Sequence, residues 1–222
     1  MTLDGALGVW PRRLATPPEE PYPPPPWQAR AEFWAGLFRC DRPARLPAGL
    51  RPLLGARTRV VTLVRYLPGS ALTYDELIIA RPALLGARPG LAIEYIWVDS
   101  VPSLWGGRRI WGLPKELATF TWGADSVAIA DASGPLMTLA VDRSPTTSGP
   151  LLPLAIAGIG RLGPTWAYAL DPMRLRPGRA GLRLHNLAPR LGFTLSERPL
   201  LAVASRDCRV TFPAARLIPA RG

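Results

Sequence analysis

Lysine occurs once in this 222-residue chain, as Lys115, although the chain carries 27 basic residues; the other 26 are arginine. Both side chains form ion pairs. Only a lysine amine readily gives up its proton when its surroundings change, and only that amine condenses with a ketone or aldehyde to form a Schiff base. The residue sits in Gly107-Arg-Arg-Ile-Trp-Gly-Leu-Pro-Lys-Glu-Leu-Ala118. There Pro114 biases Leu113 toward an extended conformation, and Gly106, Gly107 and Gly112 permit tight turns. Trp105, Ile110, Trp111, Leu113 and Leu117 can supply an apolar wall. The competing interpretation is a structural turn carrying a surface lysine beside a glutamate. Arg108 has two readings, an ion pair with Asp99 or Glu94 and a contact to an anionic substrate.

Few other residues offer chemistry. His185 is the single histidine, and no Gly-x-Ser-x-Gly elbow accompanies it. Cys40 and Cys208 are too few for a disulfide framework or a metal cluster and read as small buried apolar side chains. No metal site is expected. The net charge of +11 is spread along the chain, with close clusters at Arg12-Arg13, Arg108-Arg109 and Arg174 to Arg183. No basic helix, aromatic RNA-binding motif or zinc spacing goes with them, so nucleic acid is not an expected partner. No apolar run reaches the roughly 18 to 20 residues that span a bilayer, and the first residues make a poor signal peptide. The expectation is a cytoplasmic protein with no membrane association.

The elements that position these groups read mainly as strands. Hydrophobic content of 48% with eight tryptophans supports a sizeable core, while 27 prolines and 21 glycines argue against long helices. Residues 1–26 form a proline-rich arm, and 27–222 a single domain. Ala31 to Cys40 reads as a buried strand or short helix, and Asp41 to Pro47 as a short helix capped by Asp41. Thr58–Tyr66 is dense in β-branched residues and reads as a strand. Leu72–Ala80 and Leu91–Asp99 follow as strands after Pro-Gly turns. Further short strands are expected at 118–122, 127–130, 136–141, 181–186 and 200–212, the last interrupted at Ser205-Arg-Asp-Cys208; the apolar run 150–161 is ambiguous. The pattern predicts a mainly β (α+β) fold, an antiparallel barrel or folded sheet with a few short helices.

The run Val98 to Ala118, VDSVPSLWGGRRIWGLPKELA, resembles the signature of the acetoacetate decarboxylase family, with its Ser, Gly-Arg and Gly-x-Pro-Lys positions. Gly69 to Glu76 and the order of elements between about 25 and 210 are also similar to that family. The resemblance implies a cone-like β-barrel with a buried pocket and a homo-oligomer. It also implies Lys115 as Schiff-base lysine, Glu76 as its acidic partner, and no cofactor. Tyr74 shares the strand face of Glu76 and can donate a hydrogen bond to substrate. The arginine with which the family holds the substrate carboxylate has its counterpart at Arg30 or, with a one-residue slip, at Ala31.

Two positions depart from the family pattern. Glu116 stands where the decarboxylases have a second lysine. A carboxylate about 4 Å from an ammonium, at an effective dielectric near 20, favours the charged form by about 4 kcal/mol. A nucleophilic amine therefore requires Glu116 to point away, as strand alternation allows, toward Arg108 or Arg109. The strand 58–66 also lacks the additional glutamate of the decarboxylases. The expected function is a Schiff-base-forming lyase acting on a keto acid or related carbonyl compound, by decarboxylase-like, aldolase-like or dehydratase-like chemistry. The alternative is a non-catalytic small-molecule binding protein on the same fold.

Overall fold

The computed structural model describes residues 14–43, 46–142 and 150–220. Its strands are β1 (Trp27–Arg39), β2 (Leu50–Pro52), β3 (Thr58–Tyr66), β4 (Tyr74–Leu85), β5 (Arg88–Val98), β6 (Lys115–Leu117), β7 (Thr119–Trp122), β8 (Ser126–Asp131) and β9 (Gly134–Val141). They continue as β10 (Leu152–Leu162), β11 (Thr165–Leu175), β12 (Gly178–Arg179), β13 (Leu182–Leu187), β14 (Leu201–Phe212) and β15 (Arg216–Pro219). Among the described residues one α-helix interrupts them, α1 (Val101–Trp111).

Strands β14, β1, β3, β4, β5, β10 and β11 are hydrogen-bonded in that order, and β11 returns to β14 through Met173, Arg174 and Leu175. The sheet thus closes into a barrel with no free edge along this circuit. The seam between β5 and β10 is parallel, Gly158 opposite Leu91 and Ile159 opposite Ala92; the other seams are antiparallel. A second sheet, ordered β13-β9-β8-β7, packs on the outside.

Period-two alternation decides what each strand gives to each layer. Trp34 and Phe38 of β1, Val61 and Leu63 of β3, Leu77 and Ile79 of β4, and Trp97 of β5 pack against Ile129, Met137 and Leu139 of the second sheet. The main core therefore lies between the barrel's outer surface and that sheet. The alternate residues, such as Phe33, Thr62, Ile78 and Ile96, face the barrel interior and line a cavity of about 220 Å³.

The strand 58–66 matches its expected bounds, and the strands expected at 72–80 and 91–99 are the longer β4 and β5. Two expectations need correction. Asp41, Arg42, Pro43, Leu46 and Pro47 are not helical, and the two residues between lie outside the described residues. Asp41 Oδ1 instead accepts the Thr194 N–H at 2.8 Å, a long-range contact that replaces a helix cap. The Ser205–Cys208 stretch does not interrupt β14; it is a bulge where the pairing with β1 slips between Ala31 and Phe33. Strand β11 and helix α1 were not foreseen. From the N-terminal arm, residues 14–26 carry no helix or strand. They lie along α1, Pro18 accepting from Trp105 Nε1 at 3.1 Å and Glu19 pairing with Arg109 at 3.5 Å.

Candidate active site

Helix α1 aims the lysine. Ser100 caps it, accepting from the Ser103 N–H at 3.3 Å, and Pro102 sits in the first turn, where its missing N–H costs nothing. The helix ends at Gly112, whose left-handed φ of 61° reverses the chain. The same glycine packs on the backbone of Arg161 in β10, and Gly160 packs on the Trp111 carbonyl; a Cβ at either position would overlap main chain. Pro114 then leads into β6, which pairs in parallel with β5, Lys115 opposite Ile96. The buried Arg108 fixes this entry by donating to the Lys115 carbonyl from Nε at 2.8 Å and Nη2 at 2.5 Å.

The lysine side chain lies almost entirely out of solvent, at 3% exposure, and lines the cavity. Its stem runs over Gly107, where an added Cβ would come to 2.5 Å from Cδ and Cε. One turn earlier on the same helix face, Ser103 Oγ accepts from Nζ at 2.9 Å. From β4, Glu76 Oε2 lies 2.7 Å from Nζ and the Tyr74 hydroxyl 3.5 Å away. The amine's three hydrogens thus face three oxygens. Glu76 is itself held: Tyr66 donates to Oε1 at 3.1 Å and Tyr74 to Oε2 at 3.4 Å. Burial, and then the charge of Glu76, hold both phenols well above the usual tyrosine range, so they remain protonated donors. The ion pair is buried at both ends, with side-chain exposures of 4% each.

Of the residues expected at the site, Lys115, Glu76 and Tyr74 meet in one hydrogen-bonded group. Arg30 does not join them. It lies on the exposed face of β1, while its neighbours Ala29 and Ala31 face inward, and it lines an outer groove with Arg174 and Arg209. Arg108 does not line the cavity; it binds the Lys115 backbone. The acids expected for it hold other groups: Glu94 takes Arg59 and Arg81 at 2.7 and 2.6 Å, and Asp99 Oδ1 accepts the Asp75 N–H at 2.8 Å. Glu116 is absent from the cavity wall. It stands opposite Trp97, which packs in the outer core, so alternation along β6 sends it away from Lys115.

Ser103, Tyr66 and Asp171 were not foreseen. Ser103 and Gly107, four residues apart before the lysine, are visible in the sequence once α1 is recognised. Tyr66 ends a strand that was read correctly, and it pairs in register with Tyr74. Asp171 lies on β11 with Ala167, Ala169 and Met173 on the cavity side, and burial pushes its carboxyl up to about 8. The Cys208 thiol also lines the cavity; burial raises it to about 11, which leaves it protonated. Among the described residues no cluster of histidine, cysteine and acid side chains has a metal-binding arrangement, and no helix is long and apolar enough to cross a membrane.

Comparison with known proteins agrees with this fold. The solved structure of acetoacetate decarboxylase from Legionella pneumophila aligns with a TM-score of 0.65 at 17% identity, covering 98% of this chain and 96% of that one. The enduracididine biosynthesis enzyme MppR, solved with the condensation product of pyruvate and imidazole 4-carboxaldehyde, aligns with a TM-score of 0.60 at 20% identity, covering 90% and 92%. At these identities the likeness is one of fold. A curated acetoacetate decarboxylase from Ralstonia nicotianae is 34% identical over 102 residues, 44% of this chain and 41% of its own length. The chain thus spans about two fifths of that relative. The acetoacetate decarboxylase family model matches residues 11–147, a stretch that includes both Glu76 and Lys115. With more than half of its length matched by that model, the chain belongs to the acetoacetate decarboxylase family.

Proposed function

We propose that the protein is a lyase that forms a Schiff base through Lys115 with a keto acid or related carbonyl compound. The observation that carries this reading is a single lysine, buried in the wall of a mostly apolar cavity, with a carboxylate 2.7 Å from its nitrogen. Transfer of one proton from Nζ to Glu76 leaves a neutral amine. That amine attacks the carbonyl carbon and gives a carbinolamine. Glu76 returns the proton to the former carbonyl oxygen, which leaves as water, and a protonated imine remains. The cationic nitrogen accepts the electron pair when an adjacent bond breaks with loss of carbon dioxide, a proton or an aldol fragment. Protonation at carbon and hydrolysis of the imine then release product and amine. Tyr66 and Tyr74 keep Glu76 aligned throughout, and the cavity volume of about 220 Å³ suits a small metabolite rather than a drug-sized ligand.

Borohydride reduction in the presence of candidate keto acids and ketones tests this. The expected result is an adduct whose mass increment maps to Lys115, no adduct in Lys115→Ala or Lys115→Arg, and turnover at background in both. Turnover retained in those variants would refute the proposal. Unchanged ligand binding with no adduct would favour the non-catalytic binding reading.

A further inference from the structure

Among the described residues the cavity wall carries a carboxyl group at two places. At one, Lys115, Glu76, Tyr66 and Tyr74 satisfy one another. At the other stands Asp171. It is 8% exposed, and its Oδ1 is the one buried side-chain atom of the cavity wall, among the described residues, without a hydrogen-bond partner. Buried polar atoms are nearly always paired, because leaving one unpaired costs about 1 to 3 kcal/mol. Asp171 is also the only acid between Asp142 and Glu197. Alternation along β11 places it on the inward face, opposite Ile156 of β10.

We infer that Asp171 is a specificity-determining residue that binds an uncharged polar group of the substrate, a hydroxyl or second carbonyl, at a distance from the carbonyl that meets Lys115. The assignment rests on the reading that this cavity takes a carbonyl compound at that lysine. The chemistry of the wall selects the class. Among the described residues no arginine lines the cavity, and the one cation there is already paired with Glu76. A substrate carboxylate at the Asp171 end would lose its hydration with no cation to replace it. Burial keeps the Asp171 carboxyl protonated at neutral pH, so it can donate through its O–H and accept through its carbonyl oxygen. A hydroxyl satisfies both roles; a methyl satisfies neither. The inference therefore narrows the substrate from keto acids in general toward neutral carbonyl compounds with a second, hydroxyl-like group.

Three ketones of similar length test it: methyl butyl ketone, methyl hydroxypropyl ketone and levulinate, whose far ends are a methyl, a hydroxyl and a carboxylate. Dissociation constants are measured without reductant, and Lys115 adducts are counted separately after borohydride. The wild-type protein is expected to bind the hydroxyl ketone about tenfold more tightly than either companion, the worth of one satisfied buried hydrogen bond. Asp171→Leu should abolish that preference while leaving the methyl ketone's affinity within about twofold. Asp171→Asn, which also donates and accepts, should retain most of the preference and rules out misfolding as the cause of its loss. A hydroxyl preference under about twofold in the wild type, tightest binding of levulinate, or a preference that survives Asp171→Leu would each overturn the inference. A preference that holds with no adduct on Lys115 sinks the imine reading alone; adducts without preference sink the role of Asp171 alone.

Discussion

Lys115 and Asp171 are two buried ionisable groups treated in opposite ways by one cavity. The lysine meets three oxygens, whereas the aspartate keeps an unpartnered one. That difference has a measurable cost. An ordinary aspartate is ionised above about pH 4, while burial holds Asp171 up to about 8. Below pH 4 both folded and unfolded chains carry the proton, and stability is unaffected. Between about 4 and 8 only the unfolded chain ionises, so stability falls by about 1.4 kcal/mol per pH unit; above 8 the loss levels off. Asp171→Asn removes this penalty. Thermal melts should show the variant more stable than the wild type at pH 7 to 8, on the order of several kcal/mol, and nearly equal at pH 4. Equal melting temperatures at pH 8 would show that the carboxyl is not held protonated. A variant that gains stability and loses ligand preference marks a group retained for binding rather than for folding.

At the level of elements, the lysine is positioned by a junction and not by its own strand, since β6 is only three residues long. The junction is the αL turn at Gly112 lying on β10, where Arg161 N–H donates to the Gly112 carbonyl at 2.9 Å. Gly160→Ala and Gly112→Ala each force a Cβ into main chain and should cost about 2 to 4 kcal/mol. The yield of Lys115 adduct should drop with them. Gly163→Ala is the control: its φ is also positive, at 57°, but nothing lies within 4 Å of the added carbon, so it should cost about 1 to 2 kcal/mol. Urea melts separate the two classes, and equal losses at all three positions would contradict the account of the junction. The strand over 58–66 was legible because β-branched residues crowd it. Helix α1 was not, because Pro102 and paired glycines read locally as a turn; Ser100 before Val-Pro was the start signal. Arg30 shows how far alternation reaches: Trp27, Ala29 and Ala31 already mark the inward face and exclude it. Asp171 stayed hidden because its meaning depends on barrel closure, which pairs residues far apart in sequence.

Across the whole molecule, the inward face of β10 runs beyond the barrel. Leu152, Leu154 and Ile156 alternate along it at 45%, 50% and 42% exposure, an apolar row of which Ile156 lines the cavity. We expect a second copy of this chain to cover it, since rows of this kind mark association surfaces. Light scattering at micromolar concentration should give a mass that is a multiple of the chain's own. Leu154→Glu should shift it downward, with the far-ultraviolet spectrum of the barrel preserved. A wild-type monomer throughout the concentration range would contradict the expectation.

The principal core sits outside the barrel, between strands and second sheet, while the cavity takes the alternate side chains of the same strands. Scaffold and chemistry are thereby written in separate letters of one text. Thr62, Ile78 or Ile96 can be exchanged through mutation without unpicking the packing of Val61, Leu77 or Trp97. The cavity wall can then be recast over evolutionary time, each new repertoire needing changes at every second residue only.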